Sequence, residues 1–293
     1  MAETVNLTAK FAPYTDEIFK AESKRSLLTN TDFDWSGAHS VLIWKIASVP
    51  LNDYQRHFNR ITGEETENIS DASISRYGKI QDVTGQTEEM LLKKDRSFIF
   101  NLDKLDTDET EEQVAAASAL ARELREVVIP EVDAYTYDVM IRNAGLVADA
   151  VELTKNNIYD LILAGSEAMD DEEVPETERV LVVTPGVYTL LKKSTAFDNT
   201  DVGADLKLKG VVGILDGMAV VKVPASRLPE DFGFSIVHPS ATVAPVKLED
   251  YGVHPNTVLS SGTIVTGRIC YDAFVLENKK NGIYYQPLAK KTK

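Results

Sequence analysis

Histidines are the first residues of this sequence that could carry chemistry. The four of them, His39, His57, His238 and His254, show no metal-ligand spacing such as H-x-x-x-H. His238 and His254 each precede a proline, which is typical of a turn or of a strand end. We therefore interpret all four as structural or surface residues.

Cysteine chemistry is limited to a single residue, Cys270. The chain can therefore form neither an internal disulfide nor a zinc site built from several thiolates. The flanking residues Ile269 and Tyr271 predict a strand. We expect a small buried apolar side chain rather than a reactive thiol, because no histidine lies near it in the sequence.

Carboxylates are consecutive at Asp170, Asp171, Glu172 and Glu173. A calcium loop spaces its ligands at alternate positions and places a glycine at its turn, and neither feature is present, so we predict a solvated loop. The phosphate-loop and nucleophile-elbow motifs are absent, and residues 210–213 lack the third glycine of a dinucleotide site. The sequence thus predicts no catalytic, cofactor-binding or metal-binding residue, no cofactor, and no enzyme.

The net charge of -15 argues against a nucleic-acid binder, because phosphate contacts need a basic surface. Acidic residues cluster in 103–112 and 167–178, and a basic group lies near the end of the chain: Lys279, Lys280, Lys290, Lys291 and Lys293. Both groups are either solvated faces or unlike patches that meet between subunits. No stretch approaches the roughly 18 apolar residues of a membrane span, and residues 1–10 lack a signal peptide's apolar core. We expect a soluble protein that is not exported by that route.

The first hundred residues are dominated by polar segments. Residues 1–34 resemble an extended arm with one short helix near 16–23. Residues 40–49 predict a strand, and strand patterns return at 90–92 and 97–102. The polar connection of about 35 to 40 residues between them is far above the usual loop length. We predict a protruding β-hairpin whose partners lie on another molecule.

The clearest helix follows. Residues 106–108 offer an N-cap, and glutamates fill the first turn, where the helix dipole favours negative charge. Apolar residues then recur at helical spacing to about residue 142. Pro130 should kink or interrupt this helix, and Gly145 should end it. At 1.5 Å per residue the rod would reach about 50 Å, which suits a spine across a flat subunit.

The remainder alternates helix and strand. Helices are predicted at 157–169 and after Thr184-Pro185, where threonine caps and proline takes the first helical position. Asp216-Gly217 is the strongest hairpin signal, between strands at 210–215 and 218–223. Further strands are predicted at 179–183, 234–237, 264–276 and 282–285. The sequence therefore predicts an α+β protein with mainly antiparallel sheets.

The segment 266–284, TGRICYDAFVLENKKNGIY, resembles the closing segment of phage major capsid proteins with the Hong Kong 97 fold. Three upstream segments agree with it in order. Residues 179–185 are similar to the strand that begins the axial domain, 210–221 to its glycine-punctuated hairpin, and 236–245 to the strand that returns toward the peripheral domain. Their order and spacing support the resemblance more than any one segment does.

The resemblance implies a Hong Kong 97-like capsid fold of the α+β class over nearly the whole chain. An N-terminal arm would span residues 1–35, and an extended E-loop hairpin with its flanking strands would span 36–103. The spine helix and peripheral domain would occupy 104–177 and the axial domain 178–255. Residues 256–293 would return to the peripheral domain and form the C-terminal tail.

The function that the resemblance implies is structural. Family members are head proteins that self-assemble into pentamers and hexamers of an icosahedral shell, with the E-loop over one neighbour and the arm reaching another. The implied partners are copies of itself, with scaffold, portal and decoration proteins. The shell would enclose double-stranded DNA without specific binding, away from any membrane, as a virion component assembled in the bacterial host cytoplasm.

Two alternatives remain open on the sequence. An encapsulin-type bacterial nanocompartment shell would share the fold but enclose a cargo protein. A soluble α+β enzyme with an unrecognised site would show a deep pocket of convergent polar groups. Some capsid proteins also cross-link through a Lys–Asn bond, which we cannot place on matching positions here, so noncovalent assembly is expected.

Overall fold

A computed structural model describes residues 22–30, 32–33, 40–46, 48–51, 74–75, 77–79, 82, 85–105, 116–194, 211–255 and 261–289. The chain divides into two compact units, Gly37–Leu91 and a larger unit of Met1–Ser36 with Leu92–Lys293. The strands are β1 Ser40–Ile46, β2 Ile74–Ser75, β3 Gly78–Lys79, β4 Gly85–Leu91, β5 Lys94–Asp103, β6 Leu146–Val147, β7 Val180–Val183, β8 Val211–Leu215, β9 Met218–Lys222, β10 Phe232–Val237, β11 Thr242–Val243, β12 Val246–Pro255, β13 Gly262–Tyr271, β14 Phe274–Val275 and β15 Ile283–Pro287. The α-helices are α1 Ala116–Glu123, α2 Ile129–Arg142, α3 Ile158–Asp171 and α4 Pro185–Lys193, with a π-helical segment Leu124–Val128 and 3₁₀ helices Arg25–Leu27, Ala225–Arg227, Pro239–Ala241 and Glu277–Gly282. No helix among these residues is long and apolar enough to cross a bilayer.

A six-stranded sheet forms the centre of the larger unit, in the order β6-β15-β10-β7-β9-β8. Its pairs are antiparallel except β15–β6 and β7–β9, which agrees with the predicted α+β class. In β7, Val180 and Val182 pack toward Tyr137 and Met140 of α2, while Leu181 and Val183 pack toward α3 and α4. Both faces are thus buried, which explains why the strands are continuous apolar runs.

Close packing fixes α3 against this sheet at a glycine. A Cβ atom added at Gly165 would lie 2.7 Å and 2.9 Å from ring atoms of Tyr284 on β15. Any side chain there would force the helix and strand apart. By contrast, the nearest atom to a Cβ at Gly186, in the first turn of α4, is the Thr184 hydroxyl at 4.0 Å.

Several predicted local features are confirmed. Thr184 Oγ1 accepts a hydrogen bond from Val187 N at 3.3 Å and Pro185 begins α4, as expected of a cap followed by proline. Asp216 and Gly217 have φ of 49° and 73°, as a two-residue turn between β8 and β9 requires.

The predicted interruption of the long helix at Pro130 is present as the π-helical segment Leu124–Val128, directly before the residues that begin α2. The chain stays helical through this proline, because the π-helical segment just before it changes the hydrogen-bond pattern and Pro130 falls in the first turn of α2, where no N–H is needed. The described part, α1 to α2, spans about 40 Å at 1.5 Å per residue. The predicted cap at 106–108 lies outside the described residues.

Gly145 does not act as the helix stop. The helix ends at Arg142, and Asn143, with φ -103°, follows it without a left-handed residue. A Cβ at Gly145 would lie 2.6 Å from the main-chain nitrogen of Asn281. Glycine is needed there because another chain segment approaches closely, not because of backbone handedness.

A second sheet has three antiparallel strands in the order β12-β13-β5. The single strand predicted for 264–276 is wrong, because β13 ends at Tyr271 and Asp272 and Ala273 separate it from β14. The ten-residue strand β12 was not predicted. Its sequence, VKLEDYGVHP, is too polar and glycine-interrupted to show strand alternation.

Candidate functional site

The histidines are not gathered into one site. His39 and His57 lie outside the described residues. His238 is buried directly after β10, where its Nδ1 accepts a hydrogen bond from Ser240 N at 3.3 Å, and His254 is exposed near the end of β12. Both positions are strand ends, as predicted. Within the described ranges, no three or more histidine, cysteine, aspartate or glutamate side chains are grouped to hold a metal ion.

The consecutive carboxylates are exposed as predicted, but Asp170 and Asp171 belong to the last turn of α3 rather than to a loop. Asp170 Oδ1 lies 2.6 Å from Nη2 of the buried Arg179. Arg179 also donates to two main-chain oxygens of the loop after α3, at 2.5 Å and 2.9 Å. Glu172 accepts from Asn281 Nδ2 at 2.7 Å. These contacts fix a loop, and the acidic patch lies beside the 277–282 turn of the same chain.

Residues 22–30, the longest described part of the predicted arm, are held by their own chain. Leu28 is fully buried in the core between α2 and the six-stranded sheet. Asn30 N donates to Thr242 O at 2.7 Å, and Asn30 forms a parallel bridge with Val243. This segment is therefore ordered by its own chain, and the expectation that the arm reaches another subunit stays a prediction. Most of the helix predicted near 16–23 lies outside the described residues, and Ser23 is not helical.

A buried ion pair helps to hold residues 22–30, here called the arm root. Arg227 Nη1 lies 2.8 Å from Asp133 Oδ2, with 5% and 2% of the two side chains exposed. Ser23 Oγ donates to the other carboxylate oxygen at 2.6 Å. Burial raises the pKa of the Asp133 carboxyl, against the opposing effects of the Ser23 hydrogen bond and the Arg227 charge. Sequence reasoning missed both charged residues, because nothing in their local pattern distinguishes them from surface residues.

A second buried carboxylate, Asp272, fixes the position at which the chain enters the larger unit after β4. Its Oδ2 accepts from Lys93 N at 2.7 Å, and its Oδ1 accepts from Tyr135 Oη and Ala273 N, both at 2.8 Å. Burial is the main cause that raises the pKa of the Tyr135 hydroxyl, and its hydrogen bond to Asp272 raises that pKa further. Asp272, which follows the last residue of β13, therefore joins α2 to the residue that precedes β5 and to the residue that precedes β14.

The three-stranded sheet packs one face on the long helix. Ile269 and Tyr271 contact Val132 of α2, and the Tyr271 ring meets the Tyr135 ring edge-on with centroids 5.8 Å apart. Burial and the nearby Glu131 carboxylate raise the pKa of Tyr271 to about 12. A cavity of about 140 Å³, here called the helix–sheet groove, opens between these elements and is lined by Arg96, Ser97, Phe98, Glu123, Val127, Val128, Glu131, Val132, Ile269 and Tyr271.

The other face of this sheet carries mostly polar or exposed side chains. Arg268 makes two hydrogen bonds to the Asp95 carboxylate, at 2.6 Å and 3.0 Å, which lower the pKa of that carboxyl. Ile99, farther along β5, is exposed. Cys270 lies in β13 as predicted but is only half-buried, because its position alternates onto this face rather than toward the helix.

The smaller unit contains an antiparallel pair, β1 and β4, here called the ribbon. Leu42 and Trp44 lie opposite Glu89 and Thr87, so their side chains share one face. They are 58% and 70% exposed. On the opposite face Lys45 Nζ lies 3.0 Å from Glu88. Most of residues 52–84, the tip of the predicted hairpin, lies outside the described residues.

Comparisons with known proteins identify the fold. No protein-family model and no curated protein sequence matches this chain. A chain from the structure of Mycobacterium phage Che8 is similar with a TM-score of 0.72 and 18% identity, covering 97% of this chain and 98% of that one. A chain from the asymmetric unit of the bacteriophage PhiM1 mature capsid is similar with a TM-score of 0.68 and 14% identity, and the match covers 98% of this chain and 93% of that one. A chain from the capsid of cyanophage P-SCSP1u is similar with a TM-score of 0.69 and 14% identity, and the match covers 98% of this chain and 94% of that one. The chain therefore has the α+β, Hong Kong 97-like fold of phage capsid structures over almost its entire length.

Proposed function

We propose that this chain is the major capsid protein of a tailed bacteriophage, a structural subunit that closes with copies of itself into an icosahedral shell. The observation that supports this most is the match to phage capsid chains, which extends over nearly the full length of both partners. An inserted or partial domain would not cover both chains. Because those structures come from phages, they favour a phage shell over an encapsulin shell.

In this proposal, residues 36–103 form the E-loop hairpin and lie over a neighbouring subunit. The arm is residues 1–35, with its root at 22–30 held on its own chain by Asp133 and Leu28. Residues 104–177 and 256–293 form the peripheral domain around the long helix, and 178–255 form the axial domain. The exposed apolar face of the ribbon supports a role in contacts between subunits.

The proposed shell is built from pentamers and hexamers and encloses double-stranded DNA. It assembles in the host cytoplasm. Scaffold, portal and decoration proteins are its further partners. A net charge of -15 suits a container whose wall must not bind the DNA that slides into it. The electrostatic potential of the assembled inner surface tests this point. An acidic or neutral lining is expected, and a basic lining would contradict it.

Sedimentation velocity of the purified chain tests the proposed function. Closed particles of many subunits are expected to sediment far ahead of a monomer of 32.4 kDa. Particles purified from infected cells should contain nuclease-protected DNA rather than a cargo protein. A stable monomer or small oligomer under all conditions would exclude a shell, and a protein cargo in place of DNA would favour the encapsulin alternative.

A further inference from the structure

We propose that Trp44 of one copy is an anchor residue that inserts into the helix–sheet groove of a second copy. The inference rests on the proposed function and deepens it by naming the two surfaces that meet. In a shell built from one kind of chain, any surface of another molecule that a ribbon contacts belongs to a copy of the same chain. The contact would be heterologous, because the ribbon and the groove are different parts of the molecule.

The ribbon provides the donor side of this contact. Trp44 and Leu42 form an apolar stripe on one face of a two-stranded pair. A pair of strands alone is at best marginally stable in water and needs further packing. The opposite face already has half-buried Val41 and Ile43 and the Lys45–Glu88 ion pair. The Trp44 face is therefore the one that a second molecule would cover.

The groove has the chemistry that an indole requires. Its lining includes Val127, which is 47% exposed, together with the apolar side chains of Phe98, Val128 and Ile269. A buried indole N–H needs an acceptor, and the Glu123 carboxylate lies at the groove. The exposed guanidinium of Arg96 can stack on the indole face.

A second cavity shows why the groove is the better match. That cavity, of about 180 Å³, is lined by Ser166, Asp170, Glu176, Arg179, Asp216 and Met218. Its charged side chains would have to lose water to accept an apolar ring, at a cost that an indole cannot offset. The helix–sheet groove instead has Phe98, Val127, Val128, Val132 and Ile269 in its lining beside its three charged residues.

Photo-crosslinking tests the contact while keeping an aromatic side chain at the anchor position. Benzoyl-phenylalanine replaces Trp44, isotope-labelled and unlabelled chains are co-assembled, and cross-linked peptides of mixed label are mapped by mass spectrometry. Cross-links should join position 44 to residues 96–98 or 123–132 of another chain. The matched control places the same residue at Tyr77, which is also exposed in the smaller unit and should not react there.

Two substitutions keep the test decisive if the cross-linker prevents assembly. Trp44→Ala and Val127→Arg should each reduce particle yield at least tenfold, whereas Val147→Arg, at another exposed valine, should assemble normally. Normal particles from both Trp44→Ala and Val127→Arg would overturn the inference, as would position-44 cross-links that map to other surfaces. Either result leaves the proposed function standing, because particles have formed. Failure of the wild-type chain to form particles would instead count against the proposed function.

Discussion

The buried pair of Asp133 and Arg227 gives the sharpest test of how the arm root is held. We expect Asp133→Asn to remove the carboxylate that lies 2.8 Å from the Arg227 guanidinium, in a pair whose side chains are 2% and 5% exposed. Breaking a buried pair by removing one partner typically costs about 3 to 5 kcal/mol. The same change also removes the negative charge from the group that accepts the hydrogen bond of the Ser23 hydroxyl. Residues 22–30 should therefore loosen as the free energy of unfolding falls.

A double-mutant cycle separates the pair from ordinary packing loss. Arg227→Met should also destabilise the chain, but the double variant Asp133→Asn/Arg227→Met removes both charges of the pair together. Its cost should be smaller than the sum of the single costs by about 1 to 3 kcal/mol. The control is Asp138→Asn on the same helix, where an exposed i,i+4 pair with Arg142 should contribute only about 0.3 to 0.5 kcal/mol.

Two measurements check this prediction. Urea unfolding of the unassembled subunit, followed by circular dichroism, gives the free energy of each variant. Hydrogen exchange of the Asn30 amide, which donates to Thr242 O, reports release of the arm root. A buried, coupled pair would be refuted by a cost of Asp133→Asn no larger than that of Asp138→Asn, or by single costs that add without coupling.

The remaining predictions concern packing, pH and assembly. Gly165→Ala should lower the free energy of unfolding by about 1 to 3 kcal/mol, because the added methyl group overpacks against β15. The control Gly186→Ala should be neutral or should stabilise the chain by up to about 1 kcal/mol. Equal changes in the free energy of unfolding, measured in urea, would contradict this prediction. Burial lowers the pKa of His238 below its ordinary value of 6.5, so the unfolded chain binds the proton first, and stability should fall as pH falls from about 6.5 toward that lower pKa. His238→Gln should flatten this dependence and His254→Gln should retain it, and a flat wild-type profile would refute the assignment. Deleting residues 53–86 should leave a folded chain that cannot close shells, and normal particles by electron microscopy would exclude that role for the hairpin. Particles boiled in detergent should run as monomers on a gel, and a ladder of larger species would show covalent cross-links.

The sequence predicts those elements whose local chemistry and tertiary role agree. The strand β7 is a continuous apolar run because both of its faces are buried, and the Asp216-Gly217 turn needs the two positive φ values that these residues tolerate. The Thr184-Pro185 start of α4 follows from capping alone. The order of such segments was enough to indicate the capsid fold.

Features set by distant partners could not be predicted. Gly145 is required by Asn281, more than a hundred positions later in the chain. The polar strand β12 forms because β13 provides its hydrogen-bond partners. Asp133 and Asp272 act through contacts with residues far away in sequence. No local pattern records any of these contacts.

A cryo-electron microscopy map of particles formed by the purified chain tests the central claim most directly. We predict a closed shell of pentamers and hexamers in which the ribbon of each subunit lies on a neighbouring copy. A compact molecule that forms no hollow particle, with residues 37–91 packed only against its own larger unit, would contradict it.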